Sequence, residues 1–368
     1  MDPAPCIAVQ QACEHGKFKD RKTDMRLPWR ASTPPTLNLA LQGGGAHGAF
    51  TWGVLDALLE DGRLGFDGVS GTSAGAMNAV VLAQGLMTGG NEGAREALRS
   101  FWTAVASSLP FEGAVPTADG LGFRLAPAMR LMLQWTHYLS PEQLNPFDHN
   151  PLRDVIKTQI DFEQLRVRSP VRLFIAATEA NTGRLRLFQN PEISLDALLA
   201  SACLPRLHRS VLIDGQPHWD GGYSANPAVY PLLLDCQARD TLLILLTPLT
   251  WGDAPKSAKD IDQRTMELAF NATFLREMRL IAQLGSRALD TPRWRRGQLE
   301  NRLAQARFHA IEPGELMREL GSETKAAAGQ RFFEMLFTLG REHGQRWLLD
   351  HFSDVGAHSS ADLKQLFG

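Results

Sequence analysis

Gly71-Thr72-Ser73-Ala74-Gly75 lies between a short strand-like run and a run of helix formers that extends from Ser73 to about residue 86. The outer glycines let the backbone turn sharply from strand to helix, so the serine on the bend is pushed out where its hydroxyl can attack an acyl carbon. The predicted helix places the positive end of its dipole beside this serine. An isolated match of this kind can also be a turn without chemistry, so the neighbouring motifs have to decide.

A second motif is the glycine-rich loop Gly43-Gly44-Gly45-Ala46-His47-Gly48. It follows the apolar run 37–41 and precedes an apolar-periodic segment, 49–59. Strand, glycine loop and helix in this order are typical of an anion site, because glycines permit close approach and the N–H groups at a helix N-terminus point at negative charge. In an acyl hydrolase the anion is the oxyanion of the tetrahedral intermediate, and each donor aimed at it contributes about 3–4 kcal/mol.

The same loop also fits a different class of protein. Gly43, Gly45 and Gly48 match the dinucleotide-binding pattern Gly-x-Gly-x-x-Gly. That fold places an acidic residue at the end of its second strand, where the residue binds the ribose hydroxyls. Here Asp67 precedes the second apolar run, and the serine pentapeptide follows it. A dinucleotide-binding oxidoreductase is therefore the less favoured alternative.

A third motif, Asp220-Gly221-Gly222, follows a predicted hairpin in which Asp214-Gly215 makes the turn between residues 211–213 and 216–219. An aspartate before two glycines can lie in a tight loop with its carboxylate unobstructed. The chain has other Asp-Gly turns. Asp220 differs from them because it comes after a glycine loop and a serine pentapeptide in a fixed order.

These three motifs, in this order, resemble those of the patatin-like phospholipases, which are lipid acyl hydrolases with a Ser-Asp dyad. The resemblance covers about residues 37–223, including the segment Ala200-Ser201-Ala202-Cys203-Leu204-Pro205. It implies that Ser73 is the nucleophile, that Asp220 is the base, and that Gly43, Gly44 and Gly45 form the oxyanion loop. It further implies a lipid or other acyl ester as substrate, and it calls for no metal or cofactor.

His47 departs from the family pattern, because the family loop usually has Arg or Lys at this position. If His47 faces the loop, it supplies positive charge only when protonated, and we expect activity to titrate at roughly pH 5.5–7.5, around the ordinary histidine pKa of about 6.5. The alternative is that His47 only caps or packs the helix that begins at Gly48.

Two further alternatives stay open. A Ser-His-Asp triad would need a histidine late in the chain, and the candidates are His309, His343, His351 and His358. None of them lies in a recognisable strand-end loop with a plausible acidic partner. A non-catalytic relative could use the same cavity only to hold lipid, although both residues of the dyad are present.

Composition narrows the function further. The chain has 368 residues and a formal net charge of −2, so it lacks the excess of positive charge that is typical of nucleic-acid-binding proteins. No apolar run reaches the roughly 18–20 residues that span a bilayer. The four cysteines show neither metal-ligand spacing nor a disulfide-dense pattern, which favours a reducing compartment. We therefore expect a cytoplasmic protein, with peripheral contact to membranes as the open possibility.

The order of apolar runs predicts the fold and the domains. Strands are expected near 37–41, 68–70, 171–178, 185–188, 211–213, 242–246 and 308–311, with helices between most of them. This alternation predicts an α/β fold whose mostly parallel central sheet has helices on both faces, in three layers. The expected domains are a poorly ordered segment, 1–35, a catalytic α/β domain, 36–315, and a helical C-terminal extension, 316–368.

Two regions have apolar surfaces that could meet lipid. Residues 101–150 form an apolar helical insertion, which could be a lid, a wall for the acyl chain or an ordinary packed helix; its large apolar residues include Pro110, Phe111, Leu121, Phe123, Met129, Leu131, Met132, Leu133, Trp135 and Tyr138. A stripe at helical spacing from Met266 to Ala288 is expected to pack on the core. The triplet Trp294-Arg295-Arg296 could touch a headgroup, although such a triplet is usually ordinary surface.

Overall fold

The computed structural model describes residues 34–108, 112–117, 122–250 and 254–368. The first 33 residues of the segment that we expect to be poorly ordered lie outside the described residues, together with Cys6 and Cys13. Pro110, Phe111 and Leu121 of the predicted insertion also lie outside them. Residues 34–368 form one compact unit.

The described residues form ten strands: β1 (Thr36–Leu41), β2 (Gly65–Thr72), β3 (Ala114–Pro116), β4 (Phe123–Leu125), β5 (Arg172–Glu179), β6 (Leu185–Gln189), β7 (Val211–Ile213), β8 (Gln216–Asp220), β9 (Asp240–Ile244) and β10 (Arg307–Ile311). Eight of these strands form the central sheet, and β3 pairs with β4 in a separate hairpin. All seven strands predicted from the sequence are present.

The helices of the described ranges are α1 (Gly48–Asp61), α2 (Ala74–Ser107), α3 (Pro127–Trp135), α4 (Pro141–Leu144), α5 (Pro151–Gln159), α6 (Phe162–Arg168), α7 (Leu195–Ser201), α8 (Tyr230–Asp235), α9 (Ala258–Asp290), α10 (Gln298–Gln305), α11 (Glu315–Glu319), α12 (Gln330–His351) and α13 (Leu363–Phe367). Short 3-10 turns include Gly45–His47, Gly221–Tyr223 and Ser322–Ala326. Among these helices, none combines the length and the hydropathy needed to cross a membrane.

The sheet confirms the predicted mostly parallel α/β architecture. Its order is β10-β9-β1-β2-β5-β8-β7, and the pairs from β10 to β5 are all parallel. Three antiparallel pairs, β5 with β6, β5 with β8 and β7 with β8, complete one side of the sheet. Parallel strands are joined by helices that cross over the sheet, and these helices cover both of its faces.

Successive residues of the central strands alternate between two hydrophobic cores, which makes the protein three-layered. On β1, Leu39 and Leu41 pack with α1, α2 and α12, whereas Ala40 faces the core formed with α8 and α9. Strand side chains point alternately to the two faces of a sheet, so a strand buried on both faces is apolar throughout. The stripe on α9 packs into the second core through Phe274, Met278 and Ile281, as predicted, whereas Met266 and Leu284 of the same stripe are exposed.

One edge of β5 is divided between two strands that arrive from opposite directions. β6 pairs with residues 174–178 along one edge, so β2 and β8 must both use the other. Parallel β2 ends with Thr72 opposite Ala176, and antiparallel β8 ends with Asp220 opposite Ala177. The C-terminal ends of β2 and β8 therefore meet at neighbouring positions on β5.

The helix after Ser73 ends close to where the sequence predicts. Helical geometry breaks at Gly89 and Gly90, and a second helical stretch of α2 continues to Ser107. One prediction needs correction: the insertion 101–150 is not purely helical, because the β3–β4 hairpin lies within it. The pairing of these two short strands is a contact between separate segments, which local sequence does not reveal.

The C-terminal helix α12 packs backbone against backbone on α1. A Cβ on Gly340 would overlap the carbonyl oxygen of Phe50, and a Cβ on Gly53 would overlap that of Phe337. Arg341 of α12 forms an ion pair with Asp56, a buried residue of α1. The helical C-terminal region expected from the sequence is therefore packed directly on the first helix of the α/β unit.

We expect Gly340→Ala to lower the free energy of unfolding by about 1–3 kcal/mol, because the added methyl group forces the two helices apart. The matched control is Gly285→Ala, another glycine inside a helix. Its Cβ would meet only Leu303 O, at 3.8 Å. That change should stabilise the protein by up to about 1 kcal/mol through helix propensity. Urea unfolding of both variants checks the pair, and equal midpoints would contradict the close packing.

Candidate active site

Ser73 occupies the sharp turn between β2 and α2 that the Gly-x-Ser-x-Gly motif predicts. Its backbone has φ 55° and ψ −122°, a left-handed conformation that is rare outside glycine. The neighbouring glycines are required by close contact, because a Cβ on Gly71 would overlap the carbonyl of Gly75, and a Cβ on Gly75 would overlap that of Leu41. The Ser73 N–H donates to Ser201 Oγ at 2.9 Å, which holds the strained turn in place.

Asp220 lies at the end of β8, and only 1% of its surface is exposed. Its Oδ1 accepts the N–H of Gly222 at 2.8 Å, and its backbone carbonyl accepts the hydroxyl of Thr178 at 2.8 Å. Its Oδ2 has no hydrogen-bond partner among the described residues. One oxygen of the carboxylate is thus fixed by the protein, and the other is buried and available.

Burial raises the pKa of Asp220 from 3.8 to about 7, because the charged form loses its hydration. The Gly222 N–H and the nearby Ser73 hydroxyl act in the opposite direction and favour the ionised form. Ser73 therefore lies beside Asp220 without completing a hydrogen bond of ordinary geometry to Oδ2. Catalytic hydrogen bonds are often long when no substrate is bound. An aspartate with a pKa near 7 can both take and return a proton at neutral pH.

In the glycine loop, the three predicted oxyanion donors are not equivalent. The Gly43 N–H donates to Asn226 Oδ1 at 2.7 Å, so it is already used inside the protein. The N–H groups of Gly44 and Gly45 have no hydrogen-bond partner among the described residues. Gly45 has φ 57°, and a Cβ there would overlap the carbonyl of Lys325, so only glycine fits. Gly43 thus anchors the loop, and the next two residues carry its free donors.

His47 does not face the oxyanion loop as a charged group. Its side chain is buried, and its Nε2 lies 2.8 Å from Thr324 Oγ1. The Thr324 hydroxyl donates its proton to Gly321 O, so Nε2 must be the donor of the first bond. Burial, followed by the nearby charge of Lys325, lowers the pKa of His47 to about 3. Burial and the bond to Thr324 favour the alternative in which His47 packs the start of α1, and they do not support a titration of activity by His47 at roughly pH 5.5–7.5.

The remaining motif residues support the loop and the turn. Ala46 and Gly48 lie where the 3-10 turn Gly45–His47 leads into α1. A Cβ on Gly48 would lie 2.6 Å from that of Ala74, so Gly48 lets the starts of α1 and α2 touch. Thr72 donates its hydroxyl to Ala225 O at 2.8 Å. Gly221 packs against the backbone of β5, where a side chain would overlap Ala176 O.

Sequence reasoning assigned no individual role to three residues that hold the site together. Asn226 binds Gly43 and Ser201 binds Ser73, as described above. Gln42 is buried at the end of β1; its Oε1 accepts the N–H groups of Leu246 and Thr247, and its Nε2 donates to Asn271 at 2.9 Å. Ser201 lies in the segment 200–205, which is part of the resemblance found in the sequence. No local sequence pattern marks Gln42 or Asn226.

The alternative of a Ser-His-Asp triad requires a histidine beside Ser73, and no hydrogen bond of the described histidines goes to Ser73. Contrary to expectation, three of the four candidates have an acidic partner: His351 and His358 lie 2.9 and 3.1 Å from the carboxylate of Asp354, and His309 Nε2 lies 3.1 Å from Asp240 Oδ1. Asp240 pairs with Leu37 at the start of β1, whereas the glycine loop follows the other end of that strand. At about 3.3 Å per residue, this pair lies more than 10 Å along the sheet from the loop.

The dinucleotide alternative is also disfavoured by geometry. Asp67, the acidic residue nearest to the second apolar run, lies in the first half of β2 rather than at its end. Its Oδ2 accepts the backbone N–H groups of Gln237 and Ala238, the latter at 2.8 Å. It is therefore remote from the glycine loop and already bound by the protein.

Comparison with known proteins gives one family. The family model of the patatin-like phospholipases matches residues 39–233, just over half of the chain, and this range contains all three motifs. Among solved structures, VipD from Legionella pneumophila has 14% identity and a TM-score of 0.33, over 84% of this chain and 67% of that of VipD. No curated protein matches the chain.

We expect Asn226→Ala to lower kcat about tenfold to a hundredfold with a smaller change in KM, because the loop loses its anchor while the chain keeps its donors. Asn38→Ala is the matched control. Asn38 also bridges backbone groups, Gly68 N and Ala238 O, but near the other end of the sheet. Asn38→Ala should lower the free energy of unfolding and leave kcat unchanged. Steady-state hydrolysis of a soluble ester measures both, and equal kcat values in the two variants would contradict the role of Asn226.

Proposed function

Because this chain belongs to the patatin-like phospholipase family, a family of lipid acyl hydrolases, we propose that it hydrolyses lipid esters with a Ser73-Asp220 dyad. The observation that carries the proposal is the meeting of two strand ends on β5, which brings the Ser73 turn beside the free Oδ2 of Asp220. A buried carboxylate oxygen without a partner is costly, and active sites are where proteins retain such groups.

In the proposed acylation step, Ser73 Oγ attacks the carbonyl carbon of the ester while its proton moves to Asp220 Oδ2. The carbonyl oxygen becomes an oxyanion that accepts hydrogen bonds from the N–H groups of Gly44 and Gly45. When the intermediate collapses, the bond between the carbonyl carbon and the alcohol oxygen breaks, and Asp220 returns the proton to the leaving alcohol. The product of this step is an acyl ester of Ser73.

In the proposed deacylation step, water attacks the acyl carbon and gives its proton to Asp220. The same two N–H groups stabilise the second oxyanion. The bond to Ser73 Oγ then breaks, Oγ recovers the proton from Asp220, and the fatty acid leaves. The carboxylate serves as base and acid in both halves, which suits a group whose pKa lies near 7 rather than near 4.

The substrate class in this proposal is an acyl ester of a lipid. Phospholipid, lysophospholipid, acylglycerol and storage polyester all undergo this same transfer of an acyl group to water, so the dyad does not select among them. The mechanism uses neither a metal nor a cofactor. The cytoplasmic location expected from the cysteine pattern stays a prediction; Cys203 and Cys236, the two in the described residues, are free thiols.

A fluorophosphonate should label Ser73 alone, and Ser73→Ala should abolish both labelling and ester hydrolysis. Asp220→Asn should lower kcat about 10²–10⁴-fold, because it removes the general base while keeping the shape of the side chain. Asp214→Asn, in the turn of the same hairpin, is the matched control and should retain activity. Mass spectrometry of the adduct and steady-state kinetics test this, and an adduct on another serine would end the assignment.

The rate of fluorophosphonate labelling should rise with pH and level off above an apparent pKa of about 7. The reason is that only ionised Asp220 can accept the Ser73 proton, and the folded protein holds the pKa of Asp220 at about 7. Burial also raises the pKa of Glu277 to about 7. Glu277→Gln therefore separates the two groups, and it should leave the inflection in place. If the inflection disappears in Glu277→Gln, the group that titrates is Glu277 and not Asp220.

A further inference from the structure

Helix α3 and the turn after it expose an unusual number of large apolar side chains. Met129 is the only residue of α3 that is buried. Leu131 is 57% exposed, Trp135 52% and Tyr138 82%. Met132 is also exposed. Scattered apolar residues on a surface are normal, but a group of large ones on one short helix marks an interaction surface.

These side chains lie on one face. Residues 131, 135 and 138 are spaced four and three apart, so they follow one another along one side of a helix. The helical path continues beyond the end of α3, because the N–H groups of Tyr138 and Leu139 both donate to Trp135 O at 3.0 Å. The apolar face from residue 131 to residue 138 therefore extends over about two turns.

The rim of this face is basic. The chain has no Asp or Glu from Gly122 to Pro141, and Arg124 and Arg130 are exposed there. Arg206, also exposed, joins the rim from another segment, since its Nη1 donates to His137 Nδ1 at 3.2 Å. The acidic residues that flank this range in the chain are Asp119 before it and Glu142 after it. Glu142 is exposed at the start of α4, and Asp148 lies 4.0 Å from Arg209.

The rim connects this face to the candidate active site. Arg206 lies three residues after Cys203, whose carbonyl accepts the N–H of Asp220 at 2.8 Å. A molecule bound along the face would therefore lie against the segment that supports the predicted base. A surface that brings a lipid hydrolase to its substrate should lie close to the active site, as this one does.

We propose that the α3 surface, defined as Arg124, Arg130, Leu131, Trp135, Tyr138 and Arg206, docks on the surface of a lipid bilayer that contains anionic lipid. Trp and Tyr favour the boundary between water and acyl chains, leucine enters the acyl region, and arginines attract anionic headgroups. The proposal rests on the proposed function, because it presents the active site to the membrane from which a lipid substrate comes.

The triplet Trp294-Arg295-Arg296 is the rival surface within the chain. Trp294 is 78% exposed, but the guanidinium of Arg295 lies over its ring at 4.5 Å from the centroid. One face of the indole is thus covered. Trp294 provides a matched control, because it is an exposed tryptophan beside arginines outside the α3 surface.

The test uses full-length Ser73→Ala protein, which cannot hydrolyse the vesicles under the proposed mechanism. Binding is measured by flotation with phosphatidylcholine vesicles, with and without phosphatidylglycerol. We expect Trp135→Ala to weaken binding about tenfold. Arg130→Glu should weaken it about fivefold or more, and only when phosphatidylglycerol is present. Trp294→Ala should bind like the parent, and the unfolding midpoint of each variant reports its fold.

Three results would overturn the proposal. The first is that the parent does not bind phosphatidylglycerol vesicles; the second is that folded Trp135→Ala binds as tightly as the parent. The third is that Trp135→Ala changes a dimer to a monomer in sedimentation, which would make the surface a contact between copies. Hydrolysis of a soluble short-chain ester by the unsubstituted protein tests the proposed function without vesicles, so the two failures are distinguishable.

Discussion

The sharing of one edge of β5 between β2 and β8 is the constraint on which the candidate site depends. A strand edge offers one row of N–H and C=O groups, so two strands can use it only if one stops where the other begins. β2 stops at Thr72 and β8 stops at Asp220, opposite adjacent residues of β5. Neither chain can continue straight, and each must turn away within a residue. These two turns are the Gly-x-Ser-x-Gly and the Asp-Gly-Gly segments. The need to turn sharply explains why glycines stand next to both Ser73 and Asp220.

The surrounding structure has to stabilise two unfavourable features that this arrangement brings together. Ser73 has a backbone conformation that costs of the order of 1–3 kcal/mol, and it is held by the hydroxyl of Ser201. Asp220 is buried, and its raised pKa means that the free energy of unfolding falls as the pH rises from 3.8 to about 7. The fixed Oδ1 and the anchored Gly43 limit how far the site can relax. A rigid setting of this kind keeps the donors in place before the substrate arrives.

The sequence predicted those parts of the protein that are encoded locally. Alternating apolar runs predicted the strands, and the three motifs predicted the turns at strand ends. The sequence did not predict Asn226 or Gln42, because their partners, Gly43 and Asn271, are set by contacts across the sheet. The role of His47 stayed open at the level of sequence for a related reason: the ordinary histidine pKa applies to an exposed imidazole, and burial against Thr324 cannot be read from its neighbours in the chain. The acidic partner of His309 was missed because it comes from another strand.

The glycine loop also contacts the C-terminal part of the chain, so the candidate site depends on residues beyond the range that the family model matches. The family match ends at residue 233, yet the backbone of Lys325 packs on Gly45, and Thr324 Oγ1 accepts a hydrogen bond from His47 Nε2. In this chain the loop is therefore held by an uncharged hydrogen bond to a later segment, where the family usually has a cation. Positive charge at this position would have to be buried beside Lys325, and the lowered pKa of His47 reflects that cost. The substitution of histidine for Arg or Lys thus fits a loop whose shape depends on residues beyond the matched range.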